Sequence, residues 1–213
     1  MKKKVLHITA FLLLLACAVV VVKVAPIVSG GYNMYQAAIN EKPLAQRIEK
    51  IQDKKNYVKF EDVSDEYIDA LLKSEDKRFY YHFGIDPIAT TRAMYNNIKA
   101  GTFVQGGSTL TQQLAKNMCF SFEKRYERKV AELFVAFELE KMLSKDEILE
   151  LYCNVVYFGE GCYGLKEAST HYYGVSPMRL STDQVAVLVK TLKSPSKYNP
   201  NTYKMNTYGS IAA

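Results

Sequence analysis

The chain has 213 residues, 48% of them apolar, which is enough for one ordinary domain with a real core and too apolar for wholesale disorder. Its formal charge is +6, part of it from lysines at the N-terminus, and the remainder is mildly basic. That balance suits an anionic membrane surface or a phosphorylated ligand, and an exported, anchored chain is not expected to meet nucleic acid.

Met1-Lys2-Lys3-Lys4 precedes an apolar run from Val5 to Val22, interrupted only by His7 and Thr9, with Lys23 and Val24-Ala25-Pro26-Ile27-Val28 following. The run is long enough to cross a bilayer, with Lys23 reaching the far interface. Three leading lysines predict an inside N-terminus and an exported remainder. The expectation is an uncleaved anchor over residues 1–29, with a cleaved signal peptide or a lipoprotein signal ending at Cys17 as the rivals. Residues 30–60 read as a polar juxtamembrane connector or small-lobe segment, with one weak strand signal near Tyr57 to Phe60.

From residue 61 helices dominate. Asp65 is expected to cap a helix with Tyr67, Ile68, Leu71 and Leu72 on one face. Glu75-Asp76-Lys77-Arg78-Phe79-Tyr80-Tyr81-His82-Phe83-Gly84-Ile85-Asp86 follows, crowding carboxylates, cations, an imidazole and aromatics at a helix end. A carboxylate desolvated by aromatics gains strength as a base, neighbouring cations oppose that, and a charged helix terminus remains the plain alternative. His82 reads as structural. Asp86-Pro87 opens the next helix and Gly101 closes it.

Gly106-Gly107-Ser108-Thr109-Leu110-Thr111-Gln112-Gln113-Leu114-Ala115-Lys116 is dense in hydroxyls and amides, with one ammonium. Its glycines suit close approach of backbone to a ligand, and Ser108 is the expected N-cap of a helix carrying Gln112, Gln113 and Lys116 on or near one face. Such a helix start beside a cation suits an anionic or hydroxylated ligand, against a solvated polar loop as the alternative.

A helix from about Glu123 to Leu143 places Val130, Leu133, Phe134 and Phe137 on one stripe. It also groups Arg128, Lys129 and Glu132, with Lys124 and Arg125 stacked below. Like charges so stacked suit an anion, or a solvated basic face. Ser144 with Glu147 forms a capping box for a helix through Tyr152, which reads as scaffold. Tyr157 to Gly164 is a glycine-aromatic loop. A helix from Leu165 to Tyr173 stops at Gly174, and a second capping box, Ser181 with Gln184, precedes Val185 to Val189.

Cys119, Cys153 and Cys162 lie beyond the anchor, an odd number that fits no zinc spacing and suits packing, with one disulfide left open. HExxH, CxxC, P-loop and GxSxG patterns are absent. A nucleophile at Ser108 lacks a partner, since neither His82 nor His171 has an evident orienting acid.

Taken in order, EDKRFYYHFG, GGSTLTQQLAK, RKVAE and KDEILELYCN resemble the four successive motifs of glycosyltransferase family 51, the peptidoglycan glycosyltransferases. The resemblance runs from about Val63 to Pro200 and is similar to the monofunctional members. It implies a mainly α, lysozyme-like domain with a larger lobe, a smaller membrane-associated lobe and a cleft between. A single transmembrane helix would hold it in the bacterial cytoplasmic membrane, facing outward. It implies polymerisation of lipid II into β-1,4 glycan strands with inversion, and use of a divalent cation, Mg2+ or Mn2+. The expected partners are lipid II, the growing strand, the membrane and cell-wall synthesis proteins.

By motif position, Glu75 would be the general base and Glu132 the second essential carboxylate, the latter on the pyrophosphate side with the metal. Lys116, Arg128 and Lys129 match the cations on the donor pyrophosphate, and Ser108, Thr109, Gln112 and Gln113 match donor-side cleft residues. The family continues into an arginine-containing fifth motif. Here residues 201–213 carry no arginine pair, so the domain spanning 61–213 is expected to be short at its C-terminal part. Glu160 and Cys153 also depart from the neutral or apolar residues expected there. A muramidase or lytic transglycosylase, and a membrane-tethered lipid II binder without turnover, stand as alternatives.

Overall fold

The structure is a computed structural model that describes residues 2–121 and 125–202, with side chains from residue 19 onward. Among the described residues it is helical throughout, with ten α-helices and no strand. The expected strand near Tyr57 is replaced by extended chain and a short 3-10 turn at Phe60–Asp62. Asn154 accounts for the change, because its side chain takes both backbone bonds of Val58 and so occupies a strand partner's place.

The first helix, α1 (Lys2–Glu41), runs through the polar stretch expected as connector, and α2 (Leu44–Gln52) follows after Pro43. Leu44, Ile48 and Ile51 recur at helical spacing and are buried. The predicted anchor falls in large part on residues 1–18, whose side chains lie outside the described set. Among the described residues no helix is long and apolar enough to cross a membrane.

α1 packs along α6 (Tyr126–Met142). A Cβ on Gly31 would stand 2.5 Å from Val130 Cβ and 2.7 Å from the Glu127 carbonyl. Only glycine therefore permits this close crossing. Phe134 then stacks on Tyr35 at 5.4 Å and meets Tyr32 edge-on at 5.3 Å.

α3 (Asp65–Glu75) is capped by Ser64, not by the expected Asp65. The Ser64 hydroxyl accepts from Tyr67 N, and Asp65 supplies first-turn negative charge instead. α4 (Pro87–Ala100) has the predicted Asp86 cap and left-handed Gly101 stop, and it buries only Ala93. α5 (Leu110–Cys119) runs through the core between α6 and α7 (Lys145–Val155). Leu110, Leu114, Val135, Leu139, Leu149 and Tyr152 are all fully enclosed there.

α8 (Leu165–Tyr173) ends at Gly174, α9 (Thr182–Thr191) packs on α3, and α10 (Pro195–Tyr198) closes the described chain. Both predicted capping boxes, Ser144 with Glu147 and Ser181 with Gln184, are formed. Residues 203–213, most of the tail in which a fifth motif was sought, lie outside the described residues.

Cys119, Cys153 and Cys162 are free thiols. The packing reading holds for Cys153 and Cys162, which are buried, while Cys119 is partly so.

Candidate active site

α3 stops at Asp76, whose backbone leaves the helix while its side chain turns inward. The buried Asp76 carboxylate accepts from Leu110 N at 2.9 Å and lies 3.0 Å from His82 Nε2. This pins the end of α3 to the start of α5. His82 thus has an orienting acid after all, and His171 has another in Glu160 at 2.9 Å. His82 is nevertheless enclosed and takes no place in the cavity described below.

The N-cap of α5 is Thr109, a correction to Ser108. Thr109 and Gln112 form a reciprocal capping box, a pattern readable from the glutamine three residues on. The Thr109 hydroxyl also donates to the Gly84 carbonyl at 2.7 Å. Gln112 and Thr109 are buried and spend their side chains on this box. Gly107 lets the loop pass close to α4, since a Cβ there would sit 3.0 Å from Thr90 Cα, and it also lines the cavity described below. Gly106 faces open space.

These elements surround a cavity of about 930 Å3. Its walls include Glu75, Ser108, Thr109, Gln112, Gln113, Lys116, Lys129 and Glu132, so three of the four sequence blocks meet there. Lys73, Lys77, Arg78, Arg92 and Lys193 also line it, giving seven cations against four carboxylates. Lys77 and Arg78 belong to the first sequence block, while Lys73, Arg92 and Lys193 carry no sequence signal that separates them from solubilising surface charge. The fourth block lies behind the wall as scaffold. Asn154 clamps Val58, the Glu150 carboxylate accepts from Phe60 N at 2.6 Å and from the Tyr57 hydroxyl, and Tyr152 reaches Gln113.

The four carboxylates differ sharply. Asp76 is committed as above. Asp86 caps α4 through Ala89 N and pairs with Arg78, whose guanidinium holds the Asp86 carboxyl below the usual range. Glu132 is fully buried on α6. Its Oε2 meets Lys129 Nζ at 2.7 Å, and its Oε1 lies 3.0 Å from Arg128 Nε, an ion pair off the line of a hydrogen bond. Burying a carboxylate is tolerable only with such partners.

Glu75 is the exception. It is half-buried at the rim, and it accepts hydrogen bonds from two neutral groups, the Ser74 hydroxyl at 3.1 Å and Gln113 Nε2 at 3.3 Å.

Lys116 stands in the same cluster as Glu132. Burial chiefly depresses its pKa; Glu132 opposes that, and Lys129 and Arg128 add to it. The expected stacking of Lys124 falls outside the described residues. Arg128 does not line the cavity. It braces Glu132 and donates to the Ser121 carbonyl at 3.0 Å, and so supports the site from behind. Among the described residues no group of three metal-ligating side chains gathers. Both Glu132 oxygens face cations, so the protein alone offers no cage for a divalent ion.

A second cavity of about 310 Å3 is lined by Lys42, Arg47, Lys50 and Lys54 with no carboxylate, and so holds no base. The loop Gly159 to Gly164 has G-x-G-x-x-G spacing. No strand precedes it, as a dinucleotide site requires, and it lies outside the larger cavity.

A helical domain that sets one lightly held carboxylate beside a cluster of cations is matched to a family by its sequence. The Transglycosylase family profile matches residues 40–210, and the chain belongs to that family. It is 44% identical over 147 residues to penicillin-binding protein 1A of Aquifex aeolicus, covering 69% of the chain and 20% of that protein. With penicillin-binding protein 1A/1B of Bacillus subtilis it shares 39% over 167 residues, 78% of the chain and 18% of the relative. Against the monofunctional glycosyltransferase of Staphylococcus aureus it is 40% identical over 166 residues, 75% of the chain and 61% of the relative. The chain thus spans about a fifth of the penicillin-binding proteins and about three fifths of the monofunctional protein.

Proposed function

We propose that the chain is a peptidoglycan glycosyltransferase that polymerises lipid II into β-1,4 glycan strands with inversion and releases undecaprenyl pyrophosphate. The observation that carries this is the division of labour in one cavity: Glu75 accepts from a serine hydroxyl and a glutamine amide, while Lys116 and Lys129 gather at Glu132. Glu75 accepts the proton of the acceptor's 4-hydroxyl as that oxygen attacks the donor's anomeric carbon. The bond from that carbon to the pyrophosphate oxygen breaks. The electron pair leaves on the pyrophosphate, whose charge Lys116 and Lys129 meet. A pyrophosphate departs without a proton, so no general acid is needed. Glycoside hydrolysis does need one. The other three cavity carboxylates are each bound to a cation or buried donors, which speaks against a muramidase.

Ser108 at the cavity wall is a donor-side contact in this reading. A Mg2+ or Mn2+ ion, expected from the family, would arrive on the donor's pyrophosphate with Glu132 as its single carboxylate.

The fold proposed is the lysozyme-like one, with α4 and the following loop as the smaller lobe. Ile88, Met94, Tyr95, Ile98, Phe103 and Val104 are exposed there, Phe103 at 80%. An apolar surface of that extent suits a membrane face. Exposed valines at 19–22 and 24 on α1 support a single-pass anchor in the cytoplasmic membrane, with the domain on its outer side. The test is incubation of the full chain with lipid II and a divalent cation. Polymer supports the reading. Binding without polymer supports a tethered lipid II binder, and soluble fragments from purified sacculi support a lytic enzyme.

A further inference from the structure

Resting on that reading, we infer that Tyr152 is a positioning residue for Glu75, acting through Gln113. Tyr152 lies on α7 with its ring wholly inside the core. Its hydroxyl is 3.2 Å from Gln113 Oε1, and Gln113 Nε2 is 3.3 Å from Glu75 Oε2. The three groups form one chain that runs from the core to the cavity.

The direction of each bond is fixed by chemistry. An ionised carboxylate only accepts, so the amide must turn its NH2 toward Glu75. The amide oxygen then faces Tyr152, whose hydroxyl must donate. Burial keeps that phenol protonated by pushing its pKa well up, so the donor persists across the working pH range. A free glutamine amide could turn over and present its oxygen to the base, which would repel it. Tyr152 removes that freedom. Glu75 sits on the last turn of α3 and Gln113 on α5, so the chain also ties the base to the helix that carries Lys116.

Gln113 is therefore engaged at both ends of its amide by protein, with one remaining N–H to offer a sugar. The scaffold reading of the fourth sequence block concealed this, because a tyrosine inside an apolar helix pattern looks like any other core residue.

A nearby tyrosine supplies the control. Tyr67, on α3, is equally buried, and its hydroxyl has no hydrogen-bond partner. Removing the two hydroxyls in turn separates loss of a buried oxygen from loss of the chain.

The experiment measures lipid II polymerisation by the full chain and by Tyr152→Phe, Tyr67→Phe, Gln113→Met and the double variant Tyr152→Phe/Gln113→Met. Tyr152→Phe is expected to lower kcat about tenfold with KM within about twofold, the effect of one buried hydrogen bond on a transition-state interaction. Tyr67→Phe should keep wild-type kcat. The double variant should lose no more than Gln113→Met alone, since both changes cut one chain. If Tyr152→Phe does not fold, Gln113→Met must still lower kcat, alongside any rise in KM from its lost sugar contact. An active wild type whose Tyr152→Phe variant keeps its kcat, or loses only KM, overturns the positioning role alone. Additive losses in the double variant overturn it as well. A wild type that polymerises nothing overturns the glycosyltransferase reading and this role with it.

Discussion

Glu75 and Glu132 open on the same cavity with opposite company: Glu75 receives a serine hydroxyl and a glutamine amide, and Glu132 receives a lysine and an arginine. A carboxylate whose two oxygens each face a cation is already committed to them. One with neutral donors at the rim is open to a substrate hydroxyl. The assignment of base to Glu75 and of leaving-group site to the Glu132 cluster follows from that contrast.

Lys116 makes the donor side sensitive to pH. Its pKa is lowered in the folded protein, mainly by burial. Between that lowered value and the ordinary lysine value the folded state has shed a proton that the unfolded state keeps. Stability from this group therefore rises with pH through that window. Donor affinity should move the other way, falling as the ammonium is lost below the ordinary lysine range. Titration of a pyrophosphate-lipid analogue against pH should show this fall, and Lys116→Met should flatten it.

Arg128 and Lys129 should separate in their effects although they are adjacent. Arg128→Ala removes one of the cations paired with the fully buried Glu132 and is expected to cost roughly 3 kcal/mol of unfolding free energy, with weaker donor binding as a consequence. The Lys129 side chain is about half exposed and lines the cavity. Lys129→Met should raise the donor's Kd about tenfold, and because it takes a partner from buried Glu132 it should also cost stability, though less than Arg128→Ala, whose side chain is the more buried. Urea unfolding and analogue binding on both variants check this.

Asn154 is a structural clamp, with bonds to Val58 N at 2.8 Å, Val58 O at 2.7 Å and Glu150 O at 2.8 Å. Asn154→Ala strands backbone groups in a buried position and is expected to destabilise by roughly 3 kcal/mol. Denaturant midpoints measure it, and activity per folded molecule should stay near wild type.

The described thiols should be inert. Burial pushes Cys119 up to about 11 and Cys153 up to about 12, so neither supplies thiolate near neutral pH. Native alkylation at pH 8 should leave Cys153 unlabelled, and a reducing agent should not shift Tm.

Local signals carried well from sequence to structure. The Ser144 and Ser181 boxes and the span from Asp86-Pro87 to Gly101 are set by residues within one turn of each other, and all three form. Thr109 over Ser108 was also local, fixed by Gln112 three residues on. What stayed hidden was long-range: Asp76 bonding Leu110 N, and Tyr152 reaching Gln113. Each depends on how helices meet. No spacing along the chain encodes it.

The most direct test of the central claim compares wild type with Glu75→Gln for lipid II polymerisation and, separately, for binding of a pyrophosphate-lipid analogue. The account predicts a loss of about a thousandfold in polymerisation, within the range for removing a general base, with analogue affinity unchanged within about twofold. Polymerisation by Glu75→Gln at the wild-type rate would contradict it.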